Sequence, residues 1–135
     1  MVFDTNLILG HIRRTEWLPA RAIVSVVVVG ELEALSLRSG WGARRIDFLH
    51  SLLATFPVVE ISLPLAAIYA RIDAYSQGKL EMKPLPAGMS ARNMGKNDLW
   101  IAATALFFEL ELHTTDKDFD HLAPLGLKVV RPSMP

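Results

Sequence analysis

The stretch NDLWIAATALFFELELHTTD, residues 97–116, decides the fold of this chain. Its first part, Asp98–Leu110, is strongly apolar, which predicts a helix buried on most of its sides. Its second part, Leu112–Thr115, predicts a strand that ends directly before Asp116. A buried helix followed by a strand indicates an α/β domain with a mainly parallel sheet.

The rest of the chain repeats this alternation of short apolar runs and longer helical patterns. Further strands are predicted at Met1–Phe3, Arg21–Val24, Val58–Ile61 and Leu127–Val130. Further helices are predicted at Thr5–Arg14, from Ser25 as N-cap to Ser39, at Ala43–Thr55 and at Leu65–Gln77, with a helical turn at Lys117–Leu122. We expect a single domain over residues 1–135, in which Lys79–Asn97 is the one long irregular segment; such segments are often functional.

Composition excludes several classes of protein. At 135 residues and 51% hydrophobic, the chain can build the core of one domain. It has no cysteine, which excludes a disulfide scaffold and a thiolate zinc site. Its formal net charge is zero, so a polyanion must be bound by a local patch or through a metal. The apolar run Ala22–Val29 is too short to span a membrane, and Met1–Asp4 has no basic region typical of a signal peptide; we expect a cytoplasmic protein without membrane contact.

Four carboxylates occupy similar predicted positions. Asp4 follows the first strand, Glu31 lies in the helix after the second, and Asp116 follows the fourth. Ligands of parallel sheets bind beyond the carboxyl ends of the strands, so these three acids are expected at one edge. Asp98 joins them if the start of its helix faces the same edge.

Each acid also has a purely structural explanation. Asp4 could form an Asx turn, Asp98 could be an N-cap unless Asn97 takes that place, and Asp116 could cap the turn after it. Glu31 could be a solvated helix residue. Together, however, four carboxylates repel, since two of them ~5 Å apart cost about 3 kcal/mol at an effective dielectric of 20. If they converge, they form an oxygen site suited to Mg²⁺ or Mn²⁺.

This arrangement resembles the PIN-domain family, and in particular the toxin ribonucleases of VapBC-type toxin–antitoxin pairs. The resemblance covers nearly the whole chain. It rests on the order and spacing of four motifs: Phe3–Asn6, Ser25–Leu32, Asn97–Ala105 and Thr114–Phe119. It implies a three-layer α/β/α sandwich with a parallel sheet, a divalent metal at the acidic cluster, and hydrolysis of single-stranded or loop RNA.

The resemblance also assigns roles to residues. Asp4, Glu31, Asp98 and Asp116 would be the catalytic, metal-binding acids. Thr115 would orient an acid or a water, and Asn6 would position Asp4 or a phosphate, whereas Thr5 fits the start of a helix better than a catalytic role. Asp118 could share or replace the role of Asp116.

The remaining charged groups are less informative. Four cations of the irregular segment are candidate phosphate contacts, and a solvated loop explains them equally well: Lys79, Lys83, Arg92 and Lys96. No two of the four histidines have the spacing of zinc ligands.

The alternatives to a nuclease are an inactive PIN-like binding module, a structural domain whose acids never meet, and a phosphoryl-transfer enzyme with Asp4 as nucleophile. The Asn at position 6 disfavours the last of these.

The helices Val26–Ser39 and Ala43–Thr55 carry more apolar positions than one core face needs. Val26, Val29, Leu37 and Phe48 are expected partly off the core stripe, where exposed apolar residues mark an interaction surface. The resemblance implies that an antitoxin covers such a surface; a homodimer contact, or simply the completion of the core, explains it nearly as well.

Overall fold

Short strands and α-helices alternate along residues 1–132, the part of the chain that the structure, a computed structural model, describes. The strands are β1 Val2–Phe3, β2 Val24–Ser25, β3 Val58–Val59, β4 Leu112–His113 and β5 Val129–Val130. The helices are α1 Thr5–Arg14, α2 Val26–Arg38, α3 Ala43–Thr55, α4 Leu63–Ser76 and α5 Lys96–Phe107, and a 3₁₀ segment, Lys117–Leu125, follows β4. Every predicted element is present, with ends that differ by one to three residues at most positions.

All strand pairings in this region are parallel, as predicted. β1 pairs with β4 and β4 with β5, with Val2 opposite Leu112 and Leu112 opposite Val129. β2 pairs with β3, and an isolated parallel bridge between Val2 and Ile23 connects the two groups of strands. The strand order is therefore β3-β2-β1-β4-β5, with β1 at the centre. The carboxyl ends of all these strands face one edge, which is where ligands bind in such sheets.

Helices α2 and α5 begin in different ways at this edge. The Ser25 hydroxyl accepts a hydrogen bond from the Val27 N–H at 3.2 Å, so α2 begins where the sequence predicts. α5 begins two residues earlier than predicted, because Gly95 is its N-cap and makes no side-chain bond. The N-cap explanations of Asp98 and Asn97 are therefore wrong: both residues lie inside the first turn.

The core is built around α5, whose predicted burial is confirmed. Leu99 and residues 101–105 are buried, and α5 makes its most extensive helix contact with α4, where Tyr69 packs on Trp100 with ring centroids 4.2 Å apart. This burial fixes the first turn of α5, and Asp98 with it, at the edge of the sheet. Within the described residues, no helix has the length and apolar character needed to cross a membrane.

Candidate metal centre

Asp4 is the most buried acid of the site, with 5% of its surface exposed. It follows central strand β1, and its Oδ1 accepts the Leu7 N–H at 3.0 Å, so it does cap α1. Its Oδ2 accepts a hydrogen bond from the buried Thr114 hydroxyl. Burial raises the pKa of Asp4 above its ordinary value; the Thr114 and Leu7 bonds lower it, and the charges of Asp116 and Glu31 raise it. Two hydrogen bonds therefore hold the Asp4 carboxylate in place, and the negative charges of Asp116 and Glu31 act on it.

Asp98, Asp116 and Asp118 form a compact carboxylate group. Each offers an oxygen that lies within 4.8 Å of an oxygen of the other two. Asp98 comes from the first turn of α5, and the other two come from the start of the 3₁₀ segment. Asp116 caps that segment, as one of its structural explanations predicted, by accepting the Asp118 N–H at 2.8 Å. This cap sets the spacing of the two acids.

The electrostatics of this group disfavour three negative charges without a counter-ion. Burial, followed by the charges of Asp116, Glu31, Asp118 and Asp4, raises the pKa of Asp98 to about 6. A divalent cation would remove the repulsion, and carboxylate oxygens are the ligands that Mg²⁺ and Mn²⁺ prefer. The donor set therefore fits such an ion, with Asp98, Asp116 and Asp118 as the residues nearest one another.

Glu31 reaches the same region from α2. Its Oε1 accepts a hydrogen bond of 2.8 Å from the Thr5 hydroxyl, which orients the carboxylate toward the start of α1. Glu31 and Asp4 lie outside the 4.8 Å group, and both raise the pKa of Asp98 through their charge. Of the four predicted acids, only Asp98 and Asp116 belong to the close carboxylate group, which Asp118 completes; Asp4 and Glu31 act on Asp98 through their charge.

One of the predicted supporting roles falls on another residue. The hydrogen bond predicted for Thr115 is made by its neighbour: Thr114 is fully buried and bonds Asp4, whereas Thr115 is exposed. Thr5 begins α1 as predicted, and it also orients Glu31, which the sequence analysis missed. Asn6 is exposed and lines a cavity of about 850 Å³ together with Glu31.

The cations of the irregular segment are placed differently from one another. Arg92 lines a cavity of about 330 Å³ that Asp98 and Asp118 also line. Lys96 is the exposed first residue of α5, and Lys79 and Lys83 lie outside the lining of this cavity. A cation that the sequence analysis missed, Arg131, binds the Asp120 carboxylate at 2.7 Å and the Asp116 carbonyl at 3.3 Å, which ties the 3₁₀ segment to the end of the sheet.

Comparisons with known proteins agree with this architecture. The structure of VapBC2 from Rickettsia felis bound to a promoter DNA fragment matches with a TM-score of 0.74 and 20% identity, over 98% of this chain and 100% of that one. A toxin–antitoxin complex from Klebsiella pneumoniae matches with a TM-score of 0.67 and 21% identity, over 99% and 98% of the two chains. VapBC-1 from nontypeable Haemophilus influenzae matches with a TM-score of 0.66 and 23% identity, over 97% and 98%.

These likenesses show the fold, which is the α/β fold predicted from the sequence. No curated protein matches the chain with significant similarity. The family model described as "PIN domain" matches residues 1–125, nearly the whole chain. This protein therefore belongs to the PIN domain family.

Proposed function

We propose that this protein is a Mg²⁺- or Mn²⁺-dependent endoribonuclease that hydrolyses phosphodiester bonds of single-stranded or loop RNA. The observation that carries the proposal is the group of three carboxylates, with oxygens within 4.8 Å of one another, at the carboxyl edge of a PIN-domain sheet. The mutual repulsion of these carboxylates destabilises the metal-free fold, and a bound cation would neutralise it.

The roles of the residues follow from their environments. Asp98, Asp116 and Asp118 would hold the ion, while Asp4 and Glu31 complete the negative field. A bound divalent ion supplies an activated water and stabilises the leaving oxygen of a phosphodiester. Thr114 and Thr5 keep Asp4 and Glu31 in fixed orientations, so that the site needs little rearrangement when substrate arrives.

The alternatives are weaker on the same geometry. A phosphoryl-transfer nucleophile needs a free carboxylate oxygen, whereas both oxygens of Asp4 accept hydrogen bonds and the residue is buried. A structural domain whose acids never meet is incompatible with the close approach of Asp98, Asp116 and Asp118. An inactive binding module would have no use for a carboxylate group that costs stability.

The direct test is cleavage of a labelled single-stranded RNA by the purified protein. We expect cleavage in Mg²⁺ or Mn²⁺ and none in excess chelator, with activity restored when metal is added back. The same RNA annealed into a duplex serves as the control substrate and should be cut more slowly. Undiminished cleavage in chelator would contradict the proposed mechanism.

Metal affinity should also depend on pH in a defined window. A carboxyl group with a pKa of about 6 holds a proton below that pH, and the cation must displace it. We expect the Mn²⁺ affinity to fall about tenfold between pH 7 and pH 5, measured by calorimetry. In Asp98→Asn, the remaining affinity should change much less over this range. An affinity of the wild type that is flat from pH 5 to 7 would contradict this assignment.

We further propose that the protein acts as the toxin of a toxin–antitoxin pair and is silenced by a protein partner. The structural neighbours include proteins of toxin–antitoxin systems. Leu37 of α2 is 80% exposed, as predicted, while Val26, Val29 and Phe48 are half-buried. A groove of about 540 Å³ between α1 and α3 is lined by Phe48 and by Arg13, Arg44 and Arg45. Of the four apolar residues, Phe48 lines this groove, so an antitoxin segment bound there would cover it; a second copy of the chain is the alternative.

Co-expression with the product of the adjacent upstream gene tests the partner. A stable complex that no longer cleaves RNA would support an antitoxin, because a partner that occupies the candidate active site excludes the RNA substrate. Growth arrest on expression of the protein alone should disappear in the presence of the partner. If no neighbour binds and expression is harmless, the toxin role fails and the nuclease proposal stands.

A further inference from the structure

A cavity adjoins the carboxylate group formed by Asp98, Asp116 and Asp118. The cavity of about 330 Å³ is lined by residues 90–95 together with Asp98 and Asp118. Since these two acids also belong to the candidate metal group, a molecule in this cavity would lie next to the residues that would hold the ion. The cavity therefore adjoins the candidate metal group and is not a remote pocket.

The wall formed by residues 90–95 is held in place although it contains no helix or strand. The Ser76 carbonyl at the end of α4 accepts the Arg92 N–H at 2.7 Å. The Ser76 hydroxyl lies 3.3 Å from Met94 Sδ and 2.8 Å from Nε2 of His121 in the 3₁₀ segment. Ser76, Met94 and His121 are all buried. One buried serine thus ties the wall to the segment that carries Asp118, so the cavity is preformed.

Two exposed side chains of this wall are a cation and a neutral amide, in contrast to the acids Asp98 and Asp118 that line the same cavity. Arg92 and Asn93 line the cavity, and neither side chain makes a hydrogen bond or ion pair within residues 1–132. A guanidinium without a carboxylate partner is a strong ligand for phosphate. An amide presents both a donor and an acceptor, the pattern of the edge of an unpaired base. The cavity thus combines a cation and an amide with two acids of the candidate metal group.

We infer that this cavity holds one unpaired nucleotide of the substrate, flanking the cleaved phosphodiester, with Arg92 on its phosphate and Asn93 on the edge of its base. This inference rests on the proposed ribonuclease function and names its specificity pocket. The base must be unpaired, because pairing in a duplex would occupy the Watson–Crick edge that Asn93 is inferred to contact. Selection among bases then depends on the amide, and affinity depends on the guanidinium.

The test uses four RNA oligonucleotides that differ at the nucleotide beside the cleaved bond. We expect the wild type to prefer one base by about tenfold, and Asn93→Ala to reduce this preference to about threefold or less. Arg92→Ala should raise KM about tenfold with little change in kcat. Arg71→Ala is the matched control, since Arg71 is an exposed arginine of α4 that lines a different cavity. Mn²⁺ affinity, measured by calorimetry, should be unchanged in all three variants.

Three outcomes would overturn the inference, and they are distinguishable. If the wild type cleaves RNA but Asn93→Ala keeps its base preference, and Arg92→Ala has the KM of Arg71→Ala, the nucleotide pocket is wrong and the nuclease function stands. If the wild type binds Mn²⁺ but cleaves no RNA, the proposed function fails and the pocket fails with it. A loss of Mn²⁺ affinity in Arg92→Ala or Asn93→Ala would assign the wall to the metal site instead, which also overturns the inference.

Discussion

Replacing Asp98 with Asn is expected to lower RNA cleavage by about 10²–10³-fold and, in chelator, to raise the melting temperature. The loss of activity follows because Asp98 is one of three acids whose oxygens lie within 4.8 Å of one another. A bound metal ion lowers the activation free energy by several kcal/mol, and each ~1.4 kcal/mol changes the rate about tenfold. The amide keeps the shape of the side chain, so the fold is retained.

The gain in stability follows from the sign of the pKa shift. The folded protein holds the Asp98 proton up to pH of about 6, whereas the unfolded chain releases it near the ordinary carboxyl pKa. Between these values the native state binds more protons, so its stability falls as the pH rises. At pH 7 the full cost is present, on the order of 1–3 kcal/mol. Asn removes this cost and forgoes about 0.3–1 kcal/mol of interaction with the dipole of α5.

Thermal melting at pH 7, with Mg²⁺ and with chelator, measures both effects. We expect Asp98→Asn to melt several degrees above the wild type in chelator, and to gain little from Mg²⁺. Asp47→Asn is the matched control, because it makes the same change at an exposed position of α3, outside the carboxylate group. If wild type and Asp98→Asn melt alike in both conditions, the acids do not act as one site.

The order of elements could be predicted because each left a local pattern. Ser25 before a run of valines predicts an N-cap, and the apolar residues of α5 predict a buried helix; both are confirmed. The start of α5 was predicted two residues late, since Asp98 and Asn97 look like better caps than Gly95. The helix begins at Lys96, and its buried residues from Leu99 onward pack in the core; this places Asp98 in the first turn.

The details of the site depend on contacts that local patterns do not contain. The bond from Thr5 to Glu31 joins residues 26 apart, and the bond from Thr114 to Asp4 joins residues 110 apart. One of them left a trace in the sequence. Side chains alternate along a strand, so buried Leu112 predicts that Thr114, and not Thr115, points inward. Applied to this strand, alternation identifies the threonine that the family resemblance alone misassigned.

Replacing Thr114 with Val is therefore expected to destabilise the protein by about 2–4 kcal/mol at pH 7. Valine fills the same space but cannot donate to the buried Asp4 carboxylate, and a hydrogen bond to a charged group contributes about 1.5–3 kcal/mol. It also removes the acceptor of the Asp116 N–H, 2.9 Å away. Both acids lose their positions, so Mn²⁺ affinity should fall as well. Urea denaturation and calorimetry measure the two effects.

Thr115→Val is the matched control, since Thr115 is the exposed neighbour and its change should stay within about 0.5 kcal/mol. The loss in Thr114→Val should shrink as the pH falls, because the Thr114 bond lowers the pKa of Asp4, and an Asp4 that is protonated needs that donor less. Thr114→Ser restores the hydroxyl and should recover most of the Mn²⁺ affinity. Equal losses in Thr114→Val and Thr115→Val, or no recovery in Thr114→Ser, would show that the hydroxyl does not hold Asp4 in place.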